Sequence, residues 1–282
     1  MNPGVLITDF SGAFRREYFL PRKDRFEVLD FTSLEGVKGY CDEASAAEIS
    51  RRISHFCFPS EKWREYPVHI IDTGEYHYLS KLFTDSIDIP YTLLMIDNHT
   101  DLQEPAFGGI LSCGGWLRET MLASCSLRNV ILAGPEGKIV LYGRSEGVSV
   151  DVPEVFPRTV GEFSVLAEAP LTVEGMMSIC TNALEDALYI SIDKDVMSKE
   201  SYLTDWSQGS LSLTGLMNLL EAAFRCLSAE GHIIGIDLCG GISPQHPSLT
   251  CDVAMNRHAD RELSSFLLKI CKCDGLRLYS DN

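Results

Sequence analysis

A chain of 282 residues, 45% of them hydrophobic, can fill the core of one large α/β domain. Its formal net charge is −16, from 40 acids against 24 bases, which excludes nucleic acid and anionic membrane as main partners because phosphate neutralisation needs clustered Lys and Arg. No apolar run approaches the ~20 residues of a membrane span and no signal segment is evident, so a cytoplasmic protein is expected.

In chain order, short apolar runs of strand character recur at 5–10, 26–32, 68–74, 91–97, 129–134, 187–193 and 232–238. Several lack polar alternation, as strands covered on both faces of a parallel sheet do. Helical patterns fall between them at 45–57, 76–87, 115–124 and 214–228, and a last helix is expected near 257–273. The segment 135–160, rich in Gly, Pro and Val, reads as a hairpin or loop excursion. Strand–helix alternation of this kind predicts helices on both faces of a parallel sheet. The ten cysteines are scattered, mostly in apolar segments, and read as reduced and buried. Cys271 and Cys273 stand close together, but without a second pair they make no zinc signal.

Ligands of a parallel sheet bind in the crevice at the carboxyl ends of its strands. The residues that fall there are one-sided in chemistry: Glu75 and His77 follow 68–74, Asp97, His99 and Asp101 come at and after the end of the next run, Asp193 ends 187–193 with Asp195 just past it, and Asp237 lies in 232–238. In extended chain, residues two apart point the same way, so Asp97, His99 and Asp101 converge, as do Asp193 and Asp195. Four acids brought together cannot all stay ionised without a counter-charge. Mixed carboxylate and imidazole ligands suit manganese, iron or zinc, and six candidates are too many for one tetrahedral ion but suit a pair.

Three segments, "GEYH" (74–77), "DNHTD" (97–101) and "SIDKD" (191–195), occur in that order. In these residues the sequence resembles the ureohydrolase family, the arginases and agmatinases. The resemblance implies a single arginase-like domain over residues 1–282, a three-layer α/β/α sandwich around a mainly parallel sheet of about eight strands. It also implies two divalent ions, manganese first, with zinc or iron as alternatives. By position His77, Asp97, Asp101 and Asp193 would serve one ion, and Asp97, His99, Asp193 and Asp195 the other. The implied activity is hydrolysis of a C–N bond at a guanidino or amidino carbon, with a bridging water as nucleophile and Asp101 orienting it and shuttling its proton.

The sequence departs from the family at two places. Cys113 stands where arginases carry a shuttle histidine, and Gly240 and Gly241 stand where they carry a glutamate that grips the guanidinium. An atypical substrate is therefore expected, a small molecule or a modified peptide. Trp206 and Gln208, in the loop after the last metal segment, and Asp237 are the candidate substrate contacts. His246 and His258 read as surface residues. Family members often assemble as homo-oligomers. Two other functions compete: an amide deacetylase using Asp97, His99 and Asp193 around one zinc, and a metal-binding homologue without catalysis.

Overall fold

The computed structural model describes residues 3–13, 26–60, 62–106, 108–144, 150–185, 187–228, 231–245, 249–272 and 277–278. His246 and Cys273 lie outside them. The strands are β1 (Val5–Asp9), β2 (Phe26–Asp30), β3 (Tyr40–Cys41), β4 (Val68–Ile71), β5 (Tyr91–Ile96), β6 (Leu111–Ser112) and β7 (Leu127–Ala133). They continue with β8 (Lys138–Arg144), β9 (Thr159–Val160), β10 (Phe163–Pro170), β11 (Ala187–Asp193), β12 (His232–Cys239) and β13 (Arg277–Leu278). The helices are α1 (Glu43–Ile53), α2 (Leu79–Thr84), α3 (Trp116–Ala123), α4 (Val173–Ala183), α5 (Leu213–Cys226) and α6 (Leu249–Lys272).

One sheet takes the order β2-β1-β4-β12-β11-β5-β7-β8-β10-β9, with β13 beside β12. From β2 to β7 every pairing is parallel, and β8, β10 and β9 then extend the edge antiparallel. The central strands are buried at every position of β4, β5 and β11, because helices cover both faces. Alternating side chains divide between two cores. Leu93 and Met95 of β5 pack with Ile49, Leu79, Phe83 and Leu117 of α1, α2 and α3. Leu94 and Ile96 pack with Ile179, Leu216, Leu220 and Leu263 of α4, α5 and α6. This is the three-layer arrangement expected from the alternation of elements.

Several features differ from the expectation, among them helix α4, which no helical pattern announced. The 135–160 region begins as the hairpin partner β8, and the sheet then gains β9 and β10 beyond it, a three-strand antiparallel edge that pattern alone did not show. The helix expected over 76–87 is a 3₁₀ turn at Gly74–Tyr76 followed by the short α2, so His77 sits between the two. Helix α6 starts eight residues before the expected 257 and runs for 24 residues.

The chain places β4 and β5 consecutively in sequence but inserts β12 and β11 between them in the sheet. The strand order reverses there, which opens a crevice at the carboxyl edge of these four strands. Among the described residues no helix is long and apolar enough to cross a membrane. Cys41, Cys57, Cys113, Cys125, Cys180, Cys226, Cys239 and Cys271 are free thiols.

Candidate metal centre

All six predicted ligands meet in that crevice. Strand β5 ends at Ile96 and delivers Asp97, His99 and Asp101; β11 ends at Asp193, whose carboxylate accepts the Asp195 amide at 2.9 Å and so caps the 3₁₀ turn Lys194–Val196. His77 follows the turn after β4. Its Nδ1 lies 3.1 Å from Asp101 Oδ2, 3.3 Å from Asp97 Oδ2 and 3.5 Å from Asp193 Oδ2. His99 Nδ1 lies 2.8 Å from Asp195 Oδ2 and 3.5 Å from Asp97 Oδ1. Two donor groups result, His77/Asp97/Asp101 and Asp97/His99/Asp195, and Asp97 belongs to both. Asp193 stands on the His77 side, where His77, Asp193 and Cys239 form a third cluster. Asp101 adopts φ +49°, a left-handed backbone uncommon for a non-glycine residue and a form of strain that gathers at functional sites.

The electrostatics of the cluster show what it lacks. Asp97, Asp101, Asp193 and Asp195 are all buried, and the described ion pairs to them come from His77 and His99 alone. Lys194 lies between two of these acids in sequence but points the other way, with its Nζ 2.9 Å from Asp260 of α6 and 2.7 Å from Tyr202 Oη. Burial, and then the charge of Asp97, push Asp193 up to about 7 and raise Asp101. Burial and Asp193 raise Asp195 well above the carboxylate range. Burial also works against Asp97, but hydrogen bonds from His77 and His99 hold it low. Asp195 and then Asp97 push His99 up to about 11, and for His77 the hydrogen bonds of Asp101 and Asp97 outweigh burial and raise it well above its ordinary value. Acids this close together and this deeply buried need positive charge beside them to stay ionised together. Buried carboxylates and imidazoles in two groups with a shared member are a donor set that fits a pair of divalent cations.

An outer layer fixes the ligands. His77 Nε2 meets Ser191 Oγ at 2.9 Å, and Ser191 Oγ donates to Asp237 Oδ1 at 2.8 Å. Nε2–H therefore donates, which leaves Nδ1 turned to the acids. The indole Nε1 of Trp116, the first residue of α3, donates to Asp101 Oδ2 at 2.6 Å.

No family model matches the sequence. A curated relative from Thermotoga maritima, named "Uncharacterized protein", is 26% identical over 246 residues, 86% of this chain and 81% of the relative. Among solved structures, arginase from Medicago truncatula superposes with a TM-score of 0.59 at 15% identity, covering 95% of this chain and 86% of its own. Trypanosoma cruzi formiminoglutamase with Mn2+ does so with a TM-score of 0.54 at 9% identity, covering 88% of this chain and 77% of its own. The fold is that of the arginase superfamily.

In this arginase-fold chain the remaining expected contacts separate into those that line the cleft and those that do not. The cleft is lined beyond the six candidate ligands by Gly74, Gln103, Cys113, Gly114 and Trp206. Cys113 is carried there by the pairing of β3 with β6, and burial pushes its thiol up to about 11. Gln208 turns away: its Nε2 donates to the carbonyls of Met197 at 3.0 Å and Tyr202 at 2.8 Å, which makes it a brace of its own loop. Asp237 is fully buried behind Ser191 and out of a substrate's reach, so its place is that of an orienting acid. His258 is exposed on α6, as expected.

Three contributors went unseen in the sequence. Ser191 carried a signal, since it continues the period-two series with Asp193 and Asp195. Trp116 and Gln103 carried none, because nothing local marks which residue of α3 or of the loop after Asp101 faces the centre.

Proposed function

We propose that this protein is a two-ion hydrolase of linear, non-peptide C–N bonds, of the amidine or amide kind, with manganese as the preferred metal. The observation that carries the reading is the pair of buried donor groups joined through Asp97, without a Lys or Arg among the described residues to balance them. The arginase fold and the manganese of the formiminoglutamase neighbour support it. When bound, such cations supply Lewis-acid activation of water near neutral pH.

The chain's own residues do the rest. His77, Asp97 and Asp101 would hold one ion and Asp97, His99 and Asp195 the other, with Asp193 beside the first. Asp101 is held at Oδ2 by Trp116 and His77, which leaves Oδ1 to orient the attacking water and take its proton. The water's oxygen adds to the substrate carbon, the C–N bond breaks, and the proton leaves on the departing amine.

The test is metal content together with turnover. The purified chain should bind two manganese equivalents, and Asp97→Ala, which removes the ligand common to both donor groups, should lose both together. A single tightly held zinc, with release of acetate from acetylated amines, would replace this reading with the deacetylase one.

A further inference from the structure

The reading above leaves the substrate open, and the walls of the cleft narrow it. At the end of β12, Gly240 has φ +86°, and a Cβ there would overlap the Asp193 carboxylate oxygen Oδ1 and lie 2.9 Å from the Lys194 amide nitrogen. A Cβ on Gly241 would lie 2.9 Å from the backbone oxygen of Asp72. Gly240 is closed to a side chain while Asp193 stands where it does, and Gly241 is crowded by the backbone of Asp72, so this strand end presents no carboxylate to a substrate cation.

The opposite walls are uncharged. The Gln103 amide lies over Gly114, whose added Cβ would meet it at 3.0 Å. Across the cleft the Trp206 indole packs on Gly74, whose added Cβ would meet it at 2.7 Å, and stands edge-on to His99 with 6.0 Å between ring centroids. The backbone N–H of Trp206 donates to Thr204 Oγ1 at 3.1 Å, and the residue is 41% exposed, which leaves aromatic surface open in the cleft wall. Among the described lining residues, every acid is a candidate metal ligand. A guanidinium brought beside two divalent cations would be desolvated and repelled with no acid left to pair with it.

Resting on the two-ion reading, we propose that the cleft selects an uncharged planar C–N group, a ureide or carboxamide, whose flat remainder stacks on Trp206 while the Gln103 amide pairs with its N–H and C=O. Hydrolysis of such a group needs one water and no other reactant. The hydroxyl goes to the carbonyl carbon, one C–N bond breaks, and the second hydrogen goes to the departing nitrogen.

The experiment is equilibrium binding of benzylurea and benzylguanidinium to the full chain loaded with manganese. Benzylurea should bind at least about tenfold more tightly. Trp206→Ala should weaken it by about tenfold, Trp206→Phe should retain most of the affinity, and Gln103→Glu should move the preference toward benzylguanidinium. A chain that binds two manganese ions yet prefers benzylguanidinium, or whose Trp206→Ala variant binds both compounds unchanged, overturns this inference alone. A chain that takes up no manganese overturns the two-ion reading and this inference with it.

Discussion

The hydrogen bond from Trp116 to Asp101 makes a demanding test of the outer layer. Trp116→Phe keeps a ring in the helix and removes the N–H that lies 2.6 Å from Asp101 Oδ2. Trp116 is fully buried and Asp101 is 7% exposed, so water cannot replace the lost donor without rearrangement. A hydrogen bond to a charged group contributes ~1.5–3 kcal/mol net. The same Oδ2 is the oxygen nearest His77 Nδ1, at 3.1 Å, so the loss falls on the His77/Asp97/Asp101 group. Expressed as metal affinity, it corresponds to a weakening of ~10–100-fold for one ion, the range found for partners that orient ligands. Manganese titration by calorimetry reads this directly: the variant should still take up two ions at saturation, with one binding phase displaced by that factor. An isotherm that superimposes on the wild type within about twofold would show that the indole N–H does not hold the carboxylate, and the reasoning would fail.

Two further predictions follow from burial and backbone. Gly240→Ala should lose metal uptake and, from its left-handed backbone alone, ~1–3 kcal/mol of stability; elemental analysis and denaturant unfolding check it, and a variant that is fully loaded and fully stable would refute it. His69, buried in β4, has its pKa pushed down from 6.5 to about 4 by burial. Between those values the unfolded chain holds the proton and the folded chain does not, so stability falls as pH drops through this window by ~1.4 kcal/mol per unit, and on the order of 3 kcal/mol in total. Urea unfolding across the window should show this slope in the wild type and a reduced one in His69→Phe.

The parts of this protein that were legible in its sequence are those where one physical demand dominates. Strands β4, β5, β11 and β12 read plainly because central parallel strands are apolar at nearly every position, and their polar ends then stand out against them. The edge strand β10 reads poorly because only its first three residues are fully buried. Helix α4 was missed for a related reason: Val173, Gly175, Thr181 and Asn182 are weak helix formers, and the Thr172 cap and the packing of Met176, Ile179 and Cys180 decide the outcome. Within the site, the candidate ligands follow strand ends, which is why spacing alone brings them together. Gln208, Asp237 and Trp116 depend on rotations of side chains after the backbone is fixed. Their hydrogen-bond partners lie in segments that sequence spacing does not connect.

Lys194 gives the metal turn a second attachment. The turn faces the cleft through Asp193 and Asp195, while the residue between them is bolted through Asp260 to the far side of the protein, into a helix that begins more than fifty residues later. The centre therefore has a foundation as well as a mouth, and α6 is part of it. Anything that loosens α6, such as a cut, an added tail or a competing partner, would release a buried lysine directly beneath two ligands. The cleft opens at the carboxyl edge of the sheet, but its integrity is also held from behind.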